Sequence, residues 1–331
     1  WAHHMFATGL GPVAISAFGL STMLIAIPTG VKIFNWLGTV YGGAVRLTTA
    51  MLFSLGFIAM FTLGGLSGVL HSIVVSDTQQ TDTYFVVAHF HYVLFGGLMF
   101  GVFSGFYYWW PKIFGRMLNE RLGKFNFWTM LVGFNLTFFP MHIVGLIGMP
   151  RRTYTYPSGY GWDIYNLIET VGAFIIALAV LSFIVNIIYT TRRGERASSD
   201  PWDGRSLEWS IPSPPPEYNF ADVPRVEARD DWWHRKYTED ADGRLVRLPA
   251  GGAVEEASDA TVATAHDAHG GHGIHMPSPS FYPLVVAAGL PFLGYAAVFL
   301  NPWLVIPGLF LITFGVYAWA LEPSTEPEAG H

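Results

Sequence analysis

Long uninterrupted apolar stretches organise this chain, in place of the period-two alternation of a strand or the one-sided stripe of a soluble helix. A membrane-crossing helix needs about 20 mainly apolar residues, and such stretches fall near residues 12–38, 48–72, 84–110, 126–147, 164–190, 281–299 and 303–321. The pattern predicts an all-α protein, a polytopic transmembrane helix bundle of about seven spans lying in a lipid bilayer. The third stretch closes on the aromatic run Tyr107 to Trp110 followed by Pro111 and Lys112, an interfacial belt with a helix stop behind it. Basic residues in short loops set the orientation. Arg46, then Lys112, Arg116, Arg121 and Lys124, then Arg192, Arg193 and Arg196 fall on alternate loops and predict a shared cytoplasmic side. The acidic loop Val75 to Asp82 is predicted outside. Arg151 and Arg152 break the rule, because alternation puts them outside too; an adjacent arginine pair there needs an anionic partner.

Composition sharpens this division. Charged residues make up only 13% of the 331 residues against 51% hydrophobic, where a soluble chain carries about 25% charge. Between Arg192 and Asp267 lie 26 charged residues, and between Ser280 and Leu321 none. The polar stretch holds the cluster Pro212, Pro214, Pro215 and Pro216 and is expected to be extended or mobile, because it has little apolar area to offset its ordering entropy. Three segments follow: a core over 1–191, a polar cytoplasmic linker over 192–279 and a two-helix transmembrane extension over 280–331. The formal net charge of -6 lies mostly away from the apolar body, which argues against a nucleic-acid partner. With no cysteine, only histidine and carboxylates remain as strong metal ligands. The first residue is Trp1 and no signal peptide follows it. The sequence reads as part of something longer.

Candidate chemistry begins at Val87-Ala-His-Phe-His-Tyr92. Helical residues turn about 100° each, so His89 and His91 project about 200° apart and cannot chelate one ion, yet can serve two sites on opposite sides of a helix. Imidazoles inside a membrane span are costly unless partnered, which points to cofactor ligation; the competing reading is that each hydrogen-bonds a neighbouring helix. His3 and His4 are adjacent and suit copper, iron or zinc, with too few ligands for a stable site by themselves. Lys32 is the one lysine inside the spans, and Thr29, three residues earlier, shares its helix face. A buried ammonium readily loads and releases a proton, whereas one near the membrane edge simply snorkels. Four histidines at three-residue steps, His266, His269, His272 and His275, have the spacing of a metal tract, but the glycines among them favour a solvated linker.

Trp1-Ala-His-His-Met-Phe6, Ile25-Ala-Ile-Pro-Thr-Gly-Val-Lys32, Tyr84-Phe-Val-Val-Ala-His-Phe-His-Tyr92 and Gly148-Met-Pro-Arg-Arg152 together resemble the catalytic subunit I of haem-copper cytochrome oxidases, over residues 1 to about 190. Leu207-Glu-Trp209 with Ser213-Pro-Pro-Pro216 resembles the segment after the family's last core helix. The resemblance implies the last five helices of that family's twelve-helix core, beginning just before the eighth. It makes His3 and His4 copper B ligands, His89 the axial ligand of high-spin haem a3 and His91 an axial ligand of low-spin haem a. Arg151 and Arg152 would meet haem propionates, Lys32 and Thr29 would line a proton path, and Asp82 would be a magnesium ligand. Thr81 stands where many members have a magnesium-binding histidine. The implied activity is proton-pumping reduction of oxygen to water with electrons from cytochrome c, in a bacterial inner membrane. The implied partners are subunits II and III, and the C-terminus is expected to be cytoplasmic. This piece alone is expected to be inactive. The rival readings are a nitric oxide reductase of the same superfamily, against which the Thr29/Lys32 pair argues, and a cofactor-free transporter or scaffold. The hairpin 281–321 resembles a fused small accessory subunit.

Overall fold

A computed structural model describes residues 1–220, 223–248 and 280–322; the four-histidine tract His266 to His275 lies outside them. Most of the described residues are helical. Six helices among the described residues are long and apolar enough to cross a membrane, Pro12–Val40, Thr49–Ser72, Tyr84–Phe114, Glu120–Leu146, Asp163–Arg193 and Pro302–Ala320. The predicted sixth stretch is a shorter apolar helix, Tyr282–Val298, of 17 residues.

Three spans differ locally from the uniform helices that hydrophobicity predicts. The first divides at Ile25 into α1 (Pro12–Leu24) and α2 (Ala26–Val40). Pro28 accounts for the break, because it has no N–H to return to Leu24 and its ring crowds that carbonyl. The acidic connection after α3 (Thr49–Ser72) is a short helix, α4 (Val74–Gln80), with Asp77 buried. The third span is α5 (Tyr84–His91), a π-helical segment over Tyr92–Met99, and α6 (Phe100–Phe114). The predicted stop at Pro111 is absent. The helix runs through it and ends at Gly115, whose φ of 65° is the left-handed geometry that glycine adopts without penalty.

The packed heart lies where α3, α6 and α7 (Glu120–Leu146) meet. Phe53 is fully buried there, with the rings of Phe100, Phe103, Tyr107 and Phe127 5.1–5.8 Å away. At one end Glu120 fastens α7 to α3, its carboxylate accepting the backbone N–H and the hydroxyl of Thr49 at 2.9 Å each. α8 (Asp163–Arg193) lies along α7 so closely that a Cβ on Gly172 would come within 2.5 Å of the Thr137 nitrogen.

Residues 194–216 and 225–248 pack with the helical core, although the polar stretch from Arg192 was expected to be largely extended or mobile. Trp209 is fully buried, and its indole N–H donates to the Tyr108 hydroxyl at 3.1 Å. The Trp202 indole donates to the Tyr108 carbonyl at 2.8 Å, and Lys112 Nζ donates to the carbonyls of Ser199, Ile211 and Pro212. A short helix, α9 (Asp231–Lys236), leads into an antiparallel pair, β1 (Tyr237–Glu239) with β2 (Leu245–Arg247). Lys236 is buried at 7% exposure because its ammonium meets Asp200 at 2.8 Å, Asp203 at 2.7 Å and the Gly204 carbonyl at 2.7 Å. Burial alone would raise the Asp203 pKa, but the hydrogen bonds from Lys236 and Tyr237 outweigh it and hold the carboxyl below its ordinary range. Aromatic burial and a satisfied ammonium therefore order a stretch whose average composition is polar.

The remaining helices form a separate hairpin. α10 (Tyr282–Val298) and α11 (Val305–Ala320) pair through glycines, with a Cβ on Gly289 only 2.8 Å from the Gly308 carbonyl. Close backbone approach of this kind is how apolar helices associate in lipid.

Candidate functional site

The histidine pair sits on α5, and its setting begins with the helix start. The Thr83 hydroxyl accepts the Phe85 N–H at 3.2 Å and caps the first turn. The Tyr84 N–H donates to the Met149 carbonyl at 3.0 Å, and the Arg151 N–H to the Asp82 carbonyl at 2.9 Å. These bonds latch the arginine loop to the start of α5. They also hold two side-chain-bearing residues in the left-handed region, Asp82 at φ 57° and Arg152 at φ 67°, a conformation that persists only where surroundings enforce it. The Arg151 guanidinium consequently lies 6.0 Å from the centre of the Phe90 ring. Arg152 and Asp82 are exposed.

His89 faces α3. Its Nδ1 lies 3.0 Å from the Gly64 carbonyl and 2.9 Å from Ser67 Oγ. A ring nitrogen facing a carbonyl donates to it, so Nδ1 carries the proton and Nε2 keeps its lone pair. Gly68 makes room for the ring, since a Cβ there would be 3.0 Å from His89 Cε1. His91 faces α7. Its Nδ1 donates to the Val87 carbonyl at 2.8 Å, and its ring stacks on Phe138 at 4.2 Å between centroids with an interplanar angle of 13°. Phe90 lies against it at 4.5 Å. Both imidazoles thus have one nitrogen tied to a backbone carbonyl and the other free, the orientation in which protein histidines hold a metal. Side chains of this form fit two iron centres on different sides of α5.

His3 and His4 lie together in a short 3₁₀ turn, with ring centroids 4.3 Å apart. Burial first, then the neighbouring His4, lowers the His3 pKa, which leaves a neutral imidazole able to ligate. No group of three or more His, Asp or Glu among the described residues could hold a metal ion, so a copper site built on this pair draws further ligands from elsewhere. Lys32 is exposed on α2, its ammonium 5.6 Å from the centre of the Trp36 ring, while the Thr29 hydroxyl is spent on the Ile25 carbonyl at 2.9 Å.

Two histidines that the motif reading passed over also belong to this region. His71 lies 5.0 Å from His89 between ring centroids, and its Nδ1 is 2.9 Å from the buried Asp77 carboxylate. His142 packs 5.0 Å from Phe85 and 5.4 Å from Tyr92. The spacing Gly64, Gly68, His71 on one face of α3 carries a signal for the first; nothing local marks the second.

Comparison with known proteins gives a consistent set of relatives. A family model described as cytochrome c and quinol oxidase polypeptide I matches residues 1–175. The chain is 45% identical over 323 residues to cytochrome c oxidase subunit 1 of Alkalihalophilus pseudofirmus, covering 95% of this chain and 48% of that protein. It is 50% identical over 291 residues to cytochrome c oxidase subunit 1 of Bacillus subtilis, covering 88% and 43%. It is 42% identical over 312 residues to quinol oxidase subunit 1 of Bacillus subtilis, covering 93% and 44%. A haem-copper terminal oxidase dimer solved by cryo-electron microscopy shares the fold at a TM-score of 0.50 and 19% identity, over 56% of this chain and 38% of that one. The chain spans about half the length of the relatives it matches.

Proposed function

Because this chain belongs to the cytochrome c and quinol oxidase polypeptide I family, we propose that it is the C-terminal part of the catalytic subunit of a proton-pumping terminal oxidase. The enzyme reduces oxygen to water, takes electrons from cytochrome c, works with subunits II and III, and lies in a bacterial cell membrane with the C-terminus in the cytoplasm. The observation that carries the reading is the pair His89 and His91, each with Nδ1 bonded to a backbone carbonyl and Nε2 free, facing α3 and α7 respectively. The choice of cytochrome c rests on the relatives bearing that name being 45–50% identical, against 42% for those named quinol oxidases.

In this reading His89 would hold the iron of high-spin haem a3 and His91 that of low-spin haem a, while His3 and His4 would supply two ligands of copper B. When bound, these groups supply the electron transfer and the oxygen chemistry. The protein's own part is orientation and charge. Gly64 and Val87 carbonyls fix the two imidazoles and raise their basicity as ligands. Arg151, whose backbone N–H is held by the Asp82 carbonyl, and Arg152 would offset the carboxylates of a bound haem. Phe90 lies against the His91 ring and under the Arg151 guanidinium. Lys32 takes up and releases protons at Nζ, with Thr29 beside it, and Asp82 is the residue of this chain that would meet magnesium.

The test is His89→Ala and His91→Ala in the purified oxidase. His89→Ala should remove the carbon-monoxide-binding haem signal and spare the low-spin signal, and His91→Ala should do the reverse. Loss of the same signal in both variants would refute the assignment.

A further inference from the structure

Between α7 and α8 lies an acid that the oxidase reading leaves unused. Glu169 is 6% exposed, and its Oε1 is sealed inside the described residues without a hydrogen-bond partner. Chain lying outside them can only cover the site further. No ion pair among the described residues includes Glu169. Beyond Lys124, α7 carries no charged side chain, and its one titratable group there, His142, packs on Phe85 and Tyr92. On α8 itself the titratable groups within two turns are Asp163 and Tyr165. Tyr84, at the start of α5, lies within electrostatic reach of the carboxyl, and Tyr156 within that of Tyr84; neither supplies a positive charge. A buried carboxyl without a cation or a donor stays neutral by holding a proton, and the O–H it then carries needs an acceptor.

The facing helix offers one. Pro140 lies inside α7 and has no N–H, so the carbonyl four residues earlier, that of Leu136, lacks its helical partner. This carbonyl group faces α8, since a Cβ on Gly172 would lie 2.8 Å from the Leu136 carbonyl carbon. Glu169 precedes Gly172 by three residues and shares its helix face. The two helices run antiparallel, with Asn126 meeting Ala179 and Thr137 meeting Gly172. Glu169 is therefore displaced from Gly172 toward the C-terminus of α7, the direction in which α7 carbonyls point. We propose that Glu169 holds a resident proton and donates it in a hydrogen bond to the Leu136 carbonyl, in place of the helical bond that Pro140 removes. The alternative is a carboxyl that ionises during turnover.

Infrared spectroscopy of the purified oxidase separates the two, with wild type, Glu169→Gln and Pro140→Ala compared. At about pH 7, where an ordinary glutamate is ionised, wild type should show a protonated-carboxyl C=O stretch that Glu169→Gln lacks. Alanine suits a helix interior and returns an N–H to the Leu136 carbonyl, so in Pro140→Ala the band should move to higher frequency as the hydrogen bond from Glu169 weakens. Haem reduction should leave the wild-type band unchanged, because no second group facing Glu169 among the described residues can take its proton in exchange for a stabilising charge. Identical carboxyl bands in wild type and Glu169→Gln, an unmoved band in Pro140→Ala, or loss of the band on reduction would each overturn the proposal. The site is defined by α7 and α8 alone, and haem spectra of the three proteins are read in parallel, so failure of the oxidase reading is distinguishable from failure of this one.

Discussion

Gly68→Ala tests how tightly the His89 ring is held. The added Cβ lies 3.0 Å from His89 Cε1, where ordinary contact begins near 3.4 Å, so the ring must withdraw by about 0.4 Å. It is not free to do so, because Nδ1 is anchored at 3.0 Å to the Gly64 carbonyl and at 2.9 Å to Ser67 Oγ. The same displacement stretches both bonds past the usual ~3.2 Å limit. At about 0.5–1.5 kcal/mol per bond, the cost is roughly 1–3 kcal/mol, or about 5- to 150-fold in retention of whatever Nε2 ligates. Helix α3 itself does not suffer, since alanine is favoured over glycine in a helix interior by about 1 kcal/mol. The assay is the ratio of carbon-monoxide-binding haem to low-spin haem in the purified oxidase. It should fall in Gly68→Ala and stay unchanged in Gly65→Ala, where a Cβ meets nothing within 4 Å. An unchanged ratio in Gly68→Ala would mean that the ring is not clamped between the two helices.

Other expectations follow from the same geometry. Lys32→Met keeps side-chain volume and removes the titrating amine, so oxygen consumption should fall at least tenfold, on the scale of losing a proton-transfer group, with haem content retained; near-normal turnover would assign Lys32 to the membrane edge. The folded-state pKa of Asp203 is depressed, so its stabilising contribution is present above the unfolded value near pH 4 and is lost as pH falls through the lower folded value. Limited proteolysis after the last core helix should therefore accelerate only below about pH 4. In Asp203→Asn acceleration should occur already at neutral pH, and a pH-independent rate in wild type would contradict the Lys236 knot.

What hydrophobicity encodes was legible, and what it does not encode was not. Apolar runs located the spans because a span needs only bulk apolarity over its length. The helical rotation of about 100° per residue separated His89 from His91 onto different neighbours before any coordinates. The π-helical segment over Tyr92–Met99 carries no such signature, since changing the hydrogen-bond partner from i+4 to i+5 leaves the apolar pattern intact. The break at Ile25 was readable in principle from Pro28 but is masked by unbroken apolarity on both sides. The ordered segment after α8 depends on contacts of long sequence separation, such as Trp209 with Tyr108 and Lys236 with Asp200. A window of average polarity cannot register them. Lys32, open in sequence between a proton-loading ammonium and one at the membrane edge, is exposed on a helix that buries little surface against the rest of the described chain. His142 had no motif to mark it at all.

The latch between residues 82–84 and 149–151 sets the unit in which this region can be exchanged between homologues. Two backbone bonds and the positive φ angles of Asp82 and Arg152 make the arginine loop and the first turn of α5 one mechanical piece, although more than sixty residues of chain separate them. A graft that imports a foreign arginine loop alone inherits a partner strand with the wrong carbonyl positions, and the guanidinium beside Phe90 would be aimed by chance. Chimeras cut outside both segments carry the arginines and the histidines across together, in register.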